Sequence, residues 1–225
     1  DAYRDGRTKV VDLKGRTVLP GLTDPHVHFA DGGASMMNRI DCRDFYSNVR
    51  AIPQIVEIIR TEAERKPEGS WVIAHGSPMQ DFRMPEKRFP NRHDLDEAAP
   101  NHPVSINFGA HITIANSKAL ELAGVNSASV APAGGAIEFD ENGEPTGKLV
   151  ERAQYILRDI VPKYDYEQMK QGILFASERC LSRGITNIHD IVTNAHGTPC
   201  SRQAASSSRA PGRHGTASPT CSTTR

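Results

Sequence analysis

The sequence predicts an α/β fold, a partial TIM-type (β/α)8 barrel preceded by a small antiparallel sheet. Three observations support this. Short alternating runs between turn residues occupy residues 1–20, and an extended run at residues 22–29 comes before an amphipathic helix. A second helix and strand then return near residue 185, after a long mixed segment. This order is more typical of the first part of such a barrel than of a complete small domain.

The chain is expected to divide into three parts. Residues 1–20 form the small sheet, because the turn signals Asp5-Gly6 and Lys14-Gly15 flank an alternating run between them. Pro20-Gly21 then leads into residues 21–196, which form the barrel part with its insertion. Residues 197–225 form a disordered, low-complexity tail.

Apolar periodicity, caps and breakers mark the elements of the barrel part. The first predicted helix carries Pro53 in its first turn and has Ile52, Ile55, Val56 and Ile59 on one face. The other predicted elements, in chain order, are a strand at residues 71–74, a short helix capped by Asp94, a strand at 103–108, a helix capped by Asn116 and ended at Gly124, a hairpin around Asn142-Gly143, a helix opened by Asp165 with Gln168, and a strand at 185–191.

Charge and composition exclude several classes of function. The 27 basic and 27 acidic residues balance, which argues against a dedicated nucleic-acid binder. No apolar run reaches the roughly 18 residues needed to span a bilayer, and no secretory signal is visible. The four cysteines show no C-x-x-C spacing, so a reduced, cytoplasmic chain with neither a membrane nor a nucleic-acid partner is expected. The pattern does not indicate an oligomeric state.

The tail contrasts with the rest of the chain. Residues 197–225 contain four arginines, no acidic residue and no Val, Ile, Leu, Met, Phe, Tyr or Trp, so they cannot bury enough apolar surface to fold. The tail is either a low-complexity end, such as a truncated or frame-shifted reading frame produces, or a basic segment that contacts an anionic partner. Without these arginines, residues 1–196 carry a net charge of about −4.

The residues that carry chemistry lie in the segment from Val18 to Phe29. On a strand the side chains alternate, so His26 and His28 face the same side, roughly 6.5–7 Å apart along the backbone. Two imidazoles at this spacing can bind one divalent cation, and the carboxyl end of a barrel strand is where such barrels place their chemistry. Neutral imidazole suits zinc and also iron, nickel and copper, so the motif does not specify the metal.

This segment resembles the amidohydrolase superfamily of metal-dependent hydrolases, in which a strand of a small β-sandwich leads through Pro-Gly into the first barrel strand. Residues 11–16 and His26-Val27-His28 match that hallmark, which implies that residues 1–20 are a remnant of the β-sandwich domain. The later segments at residues 91–96, 100–104, 111–120, 143–151 and 184–190 are similar to the family 3 subgroup, so the likeness covers about residues 1–195. Two segments depart from the subgroup pattern, Gly109-Ala110 ahead of His111 and residues 75–78 after Trp71.

The resemblance implies a metal-dependent hydrolase that uses one or two divalent ions, zinc above all, and acts on carbon–nitrogen bonds of small amide-type substrates. A metal-held hydroxide would attack the substrate carbon, and a carboxylate would move the proton. His26 and His28 would be the first two ligands. The remaining ligands belong to later barrel strands, and no catalytic base can be identified in this sequence.

Four further residues are weaker site candidates. Asp24 can orient an imidazole, or it is a strand-start turn residue. His111 contacts substrate, or it is a hydrogen-bonded loop histidine. Glu151 faces the barrel mouth, or it lies in the first turn of a helix. His189 ends the last strand opposite Asp190, and we favour His189 as the inward residue.

Three functions compete. The first is a metal-dependent hydrolase of carbon–nitrogen bonds, of which this chain is the N-terminal part. The second is a catalytically inactive fragment or pseudoenzyme that binds metal weakly, because two histidines leave zinc short of the three protein ligands of catalytic sites. The third is a ring-opening hydrolase or deaminase of cyclic amides or nucleobases, which the segments after residue 90 disfavour.

Overall fold

The computed structural model describes residues 5–191. In chain order the elements are β1 (Leu22–Val27), α1 (Phe29–Asn38), β2 (Ile40–Asp41), α2 (Asp44–Ser47), α3 (Ile52–Glu64), β3 (Val72–Gly76), α4 (Gln80–Arg83), α5 (Arg92–Ala98), β4 (Val104–Phe108), β5 (Ile112–Ala115), α6 (Ser117–Leu122), β6 (Gly135–Phe139), β7 (Pro145–Glu151), α7 (Gln154–Arg158), α8 (Tyr166–Leu181) and β8 (Ile185–Asp190).

A two-stranded parallel sheet and a pair of helices hold the ends of the described chain together. β1 pairs with β8, and the first residue of the pair, Leu22, lies opposite Ile185. Helices α1 and α8, which connect these strands to the rest of the chain, pack on each other. They come close because Gly33 and Gly172 face one another, and a Cβ added to either glycine would overlap backbone atoms of the other helix.

The long insertion between α1 and α8 forms a six-stranded sheet of order β2-β3-β4-β5-β7-β6. β2, β3 and β4 are parallel, and the remaining strands pair antiparallel. One face of this sheet packs on helices α3 and α5 through a core of fully buried aliphatic side chains, which include Ile55, Ile59, Leu95, Val104 and Ile106. The insertion therefore holds the principal core of the described residues.

Caps and breakers place most helix ends where the sequence predicts them. Asn116 accepts a hydrogen bond from the backbone N–H of Ala119, and Gly124 follows α6 with a positive φ of 69°. Asp165 and Gln168 form the predicted capping box of α8. At α5 the prediction was wrong by one turn. Asn91 is the N-cap and Asp94 closes the box at its third helical position, because Asn91 accepts from two backbone amides.

The predicted antiparallel sheet over residues 1–20 is absent from the part of this segment that the structure describes. Residues 5–21 form turns and extended chain without a strand. Val10 is 61% exposed and Leu19 75% exposed, so these side chains have no apolar surface to pack on. An isolated two-stranded ribbon is marginal at best in water, which accounts for the difference. A β-sandwich remnant here stays a prediction.

The barrel also stays a prediction. Among the described residues, the strands predicted to belong to the barrel form a sheet of two, β1 and β8. Two parallel strands do not close a cylinder. The predicted tail at 197–225 lies outside the described residues, as do the last residues of the predicted barrel part. Within residues 5–191, no helix is both long enough and apolar enough to cross a lipid bilayer.

Candidate metal centre

His26 lies near the carboxyl end of β1, and His28 directly follows the strand as the N-cap residue of α1. Both side chains are exposed, and their ring centroids lie 5.5 Å apart with the ring planes at 87°. The alternation of a strand produces this proximity, as the sequence predicts, because residues two apart project from the same face. The two imidazoles therefore stand close enough to bind one ion together.

One ring nitrogen of His28 has a backbone partner. Nδ1 of His28 lies 2.8 Å from the carbonyl oxygen of Ile191, just after β8. A carbonyl can only accept, so this contact places the proton on Nδ1 and leaves the lone pair on Nε2. Metal-binding histidines are oriented in this way by a hydrogen bond from the other ring nitrogen. The parallel pairing of β1 with β8 thus fixes the ring of His28 in a form that can ligate.

The residues present fit two positions of a divalent metal site. Imidazole nitrogen is a ligand that zinc and other transition metals prefer. Within residues 5–191, no group of three or more histidine, cysteine or acidic side chains comes together in a ligating arrangement. A catalytic zinc site needs a third protein ligand, so the described chain supplies part of such a site.

The polar residues beside the two histidines bond to backbone. Oδ1 of Asp24 accepts from the backbone N–H of His26 at 3.0 Å, so the observed partner of Asp24 is the strand and not an imidazole ring. Asp190, at the end of β8, accepts from the backbone N–H of Phe29 at 2.9 Å and caps α1. His189, which precedes it, is exposed. The assignment of Asp24 and His189 to the site remains a prediction.

His111 and Glu151 contact each other in the insertion. Nδ1 of His111 lies 2.9 Å from Oε1 of Glu151, and their side chains are 71% and 54% exposed. Glu151 ends β7 and does not lie in the first turn of a helix, since α7 begins only at Gln154. Its φ is +50°, a left-handed conformation that costs a non-glycine residue of order 1 kcal/mol or more. Sequence reasoning named both residues without their pairing, because their contact depends on the β5–β7 register.

A second polar group was missed by sequence reasoning. Asp41, His75 and Asn107 are paired in register across β2, β3 and β4, so their side chains lie in one row on one face of the sheet. Arg43 donates two hydrogen bonds to the carboxylate of Asp41, at 2.7 and 2.8 Å. The only signal in the sequence was the departure of residues 75–78 from the subgroup pattern, since the row itself needs the strand register.

Burial and charge set the protonation of this row. Burial, followed by the positive charge of Arg43, lowers the pKa of His75 to about 4. Burial alone would raise the pKa of Asp41, but the hydrogen bonds from Arg43 outweigh it and lower that pKa to about 2. At neutral pH the row therefore contains a neutral imidazole beside an ionised carboxylate that is already paired.

Comparison with known proteins places the chain in a family. The sequence model of the amidohydrolase family matches residues 9–214. The chain is 33% identical over 185 residues to the Arabidopsis thaliana protein LONG AFTER FAR-RED 3, an alignment that covers 82% of this chain and 30% of the relative. It is 30% identical over 208 residues to N-substituted formamide deformylase of Arthrobacter pascens, covering 90% of this chain and 38% of the relative. The chain thus spans about a third of the length of these relatives.

Among solved structures, the chain is similar to an uncharacterized metal-dependent hydrolase from Pyrococcus horikoshii OT3. The TM-score is 0.48 at 23% identity, and the match covers 75% of this chain and 30% of that structure. A counterpart from Pyrococcus furiosus matches with a TM-score of 0.47 at 26% identity, covering 75% and 31%. The match of the family model over most of the sequence decides the assignment: this chain belongs to the amidohydrolase family.

Proposed function

We propose that this chain is the N-terminal part of a metal-dependent hydrolase of carbon–nitrogen bonds, in which His26 and His28 are metal ligands. The observation that carries the proposal is the pair of exposed imidazoles 5.5 Å apart at the carboxyl end of β1, in a chain of the amidohydrolase family. The hydrogen bond between His28 Nδ1 and the Ile191 carbonyl supports it, because it leaves Nε2 free to ligate.

The chemistry divides between the metal and the protein. When bound, the ion supplies an acidified water and polarises the substrate carbonyl. The residues of this chain would hold the ion. His26, near the end of β1, and His28, just after it, bring their rings together, and the Ile191 carbonyl just after β8 orients His28. The C-terminal end of a strand is open to substrate, since the side chains there are not enclosed by neighbouring strands.

The finer assignments belong to the same proposal. The metal is zinc, because three features agree with it: imidazole ligands, a hydrolytic reaction and no need for a redox change. The substrate is a small molecule with an amide-type bond, which is consistent with the printed name of the Arthrobacter relative. The partial barrel fold and a cytoplasmic location are proposed together with these.

A second candidate is a catalytically inactive fragment that binds metal weakly. The observation that favours it is the lack of a third ligand among residues 5–191. The two candidates make different predictions once the missing strands are supplied. A hydrolase gains activity when further ligands complete the site, whereas a pseudoenzyme does not.

The test is a chimera. Residues 1–191 of this chain replace the matching region of the Arthrobacter N-substituted formamide deformylase, and release of formate from an N-substituted formamide is measured with zinc present and after chelation. We expect zinc-dependent hydrolysis that His26→Asn and His28→Asn each lower by more than a hundredfold. His93→Asn, at an exposed histidine outside the site, serves as the control and should retain activity. A folded, zinc-loaded chimera without hydrolysis contradicts the proposal, and so does full activity in the His26→Asn, His28→Asn double variant.

A further inference from the structure

Arg39 has no carboxylate partner among residues 5–191. It lies between α1 and β2 and is only partly exposed. Its Nε donates to the hydroxyl of Tyr164 at 2.7 Å, and its Nη1 donates to Oδ1 of Asn107 at 3.3 Å. Both acceptors are neutral. A guanidinium that neighbouring side chains orient in this way is a good binding group for a carboxylate or phosphate.

The neutral acceptors are themselves held in place by a chain of hydrogen bonds. Asn107 donates to Thr113 Oγ1 at 2.8 Å, and Thr113 donates to Gln154 Oε1 at 2.9 Å. Gln154 in turn donates to the carbonyl of Ala110 at 3.0 Å. This network fixes the oxygen of Asn107 toward Arg39 without adding any negative charge. The site therefore orients the guanidinium, which also lies 5.8 Å from the centroid of the Tyr164 ring, and no carboxylate of residues 5–191 pairs with it.

No acidic residue of the described chain balances Arg39. Within residues 5–191, no ion pair to Arg39 is formed, and its Nη2 has no hydrogen-bond partner. Outside that range the sequence contains a single acidic side chain, Asp1. All acidic side chains of the protein except Asp1 therefore lie among the described residues, and none of them forms an ion pair with Arg39.

The neighbouring row does not provide the missing charge. The carboxylate of Asp41 accepts hydrogen bonds from Nε and Nη2 of Arg43. His75, in the next strand, bonds through Nδ1 to Ser35 Oγ at 3.3 Å and is neutral at pH 7. Arg39, Arg43, Asp41 and His75 together therefore carry a net charge of about +1 at neutral pH.

The position of this group is one where α/β sheets bind ligands. Asp41, His75 and Asn107 lie at or next to the carboxyl ends of the parallel strands β2, β3 and β4, and ligands bind in the crevice beyond those ends. α1 has ten residues between His28 and Arg39, which separates this group from the histidine pair by about 15 Å along the helix. It is therefore a place distinct from the candidate metal centre.

We propose that Arg39, held by Asn107 and Tyr164, binds the carboxylate of a small-molecule ligand at the carboxyl ends of β2–β4. Because Nε donates its single N–H to Tyr164, a carboxylate would bind at the end of the planar fork, through Nη2 and the second N–H of Nη1. Binding here does not depend on metal at His26 and His28, so this inference goes beyond the proposed hydrolase function and can fail or succeed independently of it.

The experiment titrates sodium acetate into the full 225-residue chain at pH 7, with sodium chloride keeping the ionic strength constant. NMR follows the Nε–H signal of Arg39 and the ring signals of His75, with the buried His102 as an internal reference. We expect saturable shifts at Arg39 and His75 and none at His102. Arg39→Gln should weaken acetate binding about tenfold or more, since a charge-assisted hydrogen bond is lost. Arg65→Gln, at an exposed arginine after α3, should bind as the wild type does.

Four results would overturn the proposal. One is the absence of saturable shifts in the wild type, which needs no variant and therefore holds even if Arg39→Gln fails to fold. Another is unchanged acetate binding in a folded Arg39→Gln chain. The third is an equal response to inorganic phosphate, which would show a general attraction of anions in place of carboxylate recognition. Arg39→Lys keeps the charge without the fork, and wild-type affinity in that variant would also contradict the geometry proposed.

Discussion

At the scale of single residues, His75 shows how the sheet sets the charge of a side chain. The residue sits in the middle strand of the parallel part of the sheet, with Arg43 and Arg39 nearby. Burial disfavours a charge on this ring, and the positive charges of Arg43 and Arg39 oppose its protonation, which the carboxylate of Asp41 only partly offsets. The folded state therefore disfavours the protonated imidazole of His75, whereas in the unfolded chain this residue protonates at its ordinary pKa.

This difference predicts a pH dependence of stability. The pKa of His75 falls from 6.5 in the unfolded chain to about 4 in the folded one, so between these values the unfolded state binds the extra proton. The free energy of unfolding should therefore decrease as the pH falls from 6.5 toward 4, with no contribution from His75 above that window. Urea denaturation at pH 7 and pH 5 measures this decrease in the free energy of unfolding. His75→Gln should reduce the decrease, whereas His93→Gln, at an exposed histidine, should preserve it; an identical loss in both variants contradicts the assignment.

Asn116 shows a residue whose role is larger than its sequence context indicates. The sequence predicts an N-cap, and Oδ1 does accept from the Ala119 N–H at 3.0 Å. The same oxygen also accepts from the Val104 N–H at 2.9 Å, and Nδ2 donates to the His102 carbonyl at 2.8 Å. The fully buried side chain thus joins α6 to the start of β4.

We expect Asn116→Ala to lower the free energy of unfolding by about 2–4 kcal/mol, because a cap and the partners of two buried backbone groups are lost together. Asn126→Ala provides the matched control. Asn126 is exposed and accepts from the nearby Ala128 N–H, so its replacement should cost about 1 kcal/mol or less. Chemical denaturation measures the free energy of unfolding of both variants. Equal losses of stability would show that the buried hydrogen bonds of Asn116 contribute little.

At the scale of elements, the contact between α1 and α8 depends on the absence of side chains. α1 has the sequence FADGGASMMN, and its two adjacent glycines weaken any prediction of a helix there. The helix forms because Gly33 and Gly172 allow the two backbones to touch, a tertiary effect that propensity does not contain. This is why α1 was absent from the sequence prediction, whereas α3, α6 and α8, which have caps and apolar stripes, were predicted.

The two glycines of α1 provide their own control. Gly33→Ala places a methyl group against the backbone of Gly172 and should destabilise the protein by about 1–3 kcal/mol. Gly32→Ala meets nothing within 4 Å and should be neutral or stabilising by up to about 1 kcal/mol, since alanine favours the helix. Thermal unfolding of the two variants gives the comparison. If Gly33→Ala were as stable as Gly32→Ala, the close approach of α1 and α8 would be wrong.

At the scale of the whole molecule, the two sheets differ in how much of their surface is buried against other elements. The six-stranded sheet lies against a buried core, whereas β1 and β8 form a two-stranded pair whose residues are mostly exposed. Stability is therefore concentrated in the insertion. The pair that holds the candidate metal ligands is the less protected part.

Amide hydrogen exchange tests this distribution. Amides in the β1–β8 pairing should exchange at least about tenfold faster than those between β3 and β4, because local opening of the pair exposes little apolar surface. Equal protection in the two sheets would show that the described chain unfolds as one cooperative unit.

The isolated chain is expected to lack robust hydrolase activity. Residues 5–191 bring no third metal ligand to His26 and His28, and the apolar side chains Val10, Val18 and Leu19 are left uncovered. Such surfaces favour association of the chain. An assay of the purified chain with zinc and an N-substituted formamide measures the rate, and a monomeric preparation that turns over substrate contradicts this expectation.

Prediction from sequence worked best where the information is local. The alternation of β1 places His26 and His28 on one face, and the caps of α6 and α8 lie in the residues that form them. The row of Asp41, His75 and Asn107 depends on strand register, and the pairing of His111 with Glu151 depends on two strands joined through a long connection. Contacts between distant segments are set by packing, which a periodic pattern does not encode.

Zinc binding by the 225-residue chain decides whether His26 and His28 are metal ligands. Equilibrium dialysis against zinc at pH 7 compares the wild type with the His26→Asn, His28→Asn double variant, and His93→Asn controls for exposed histidines. We expect the double variant to bind zinc at least about tenfold more weakly than the wild type, and the His93→Asn control to bind it equally well. Equal zinc affinity in the wild type and the double variant would contradict the assignment of these two imidazoles as metal ligands.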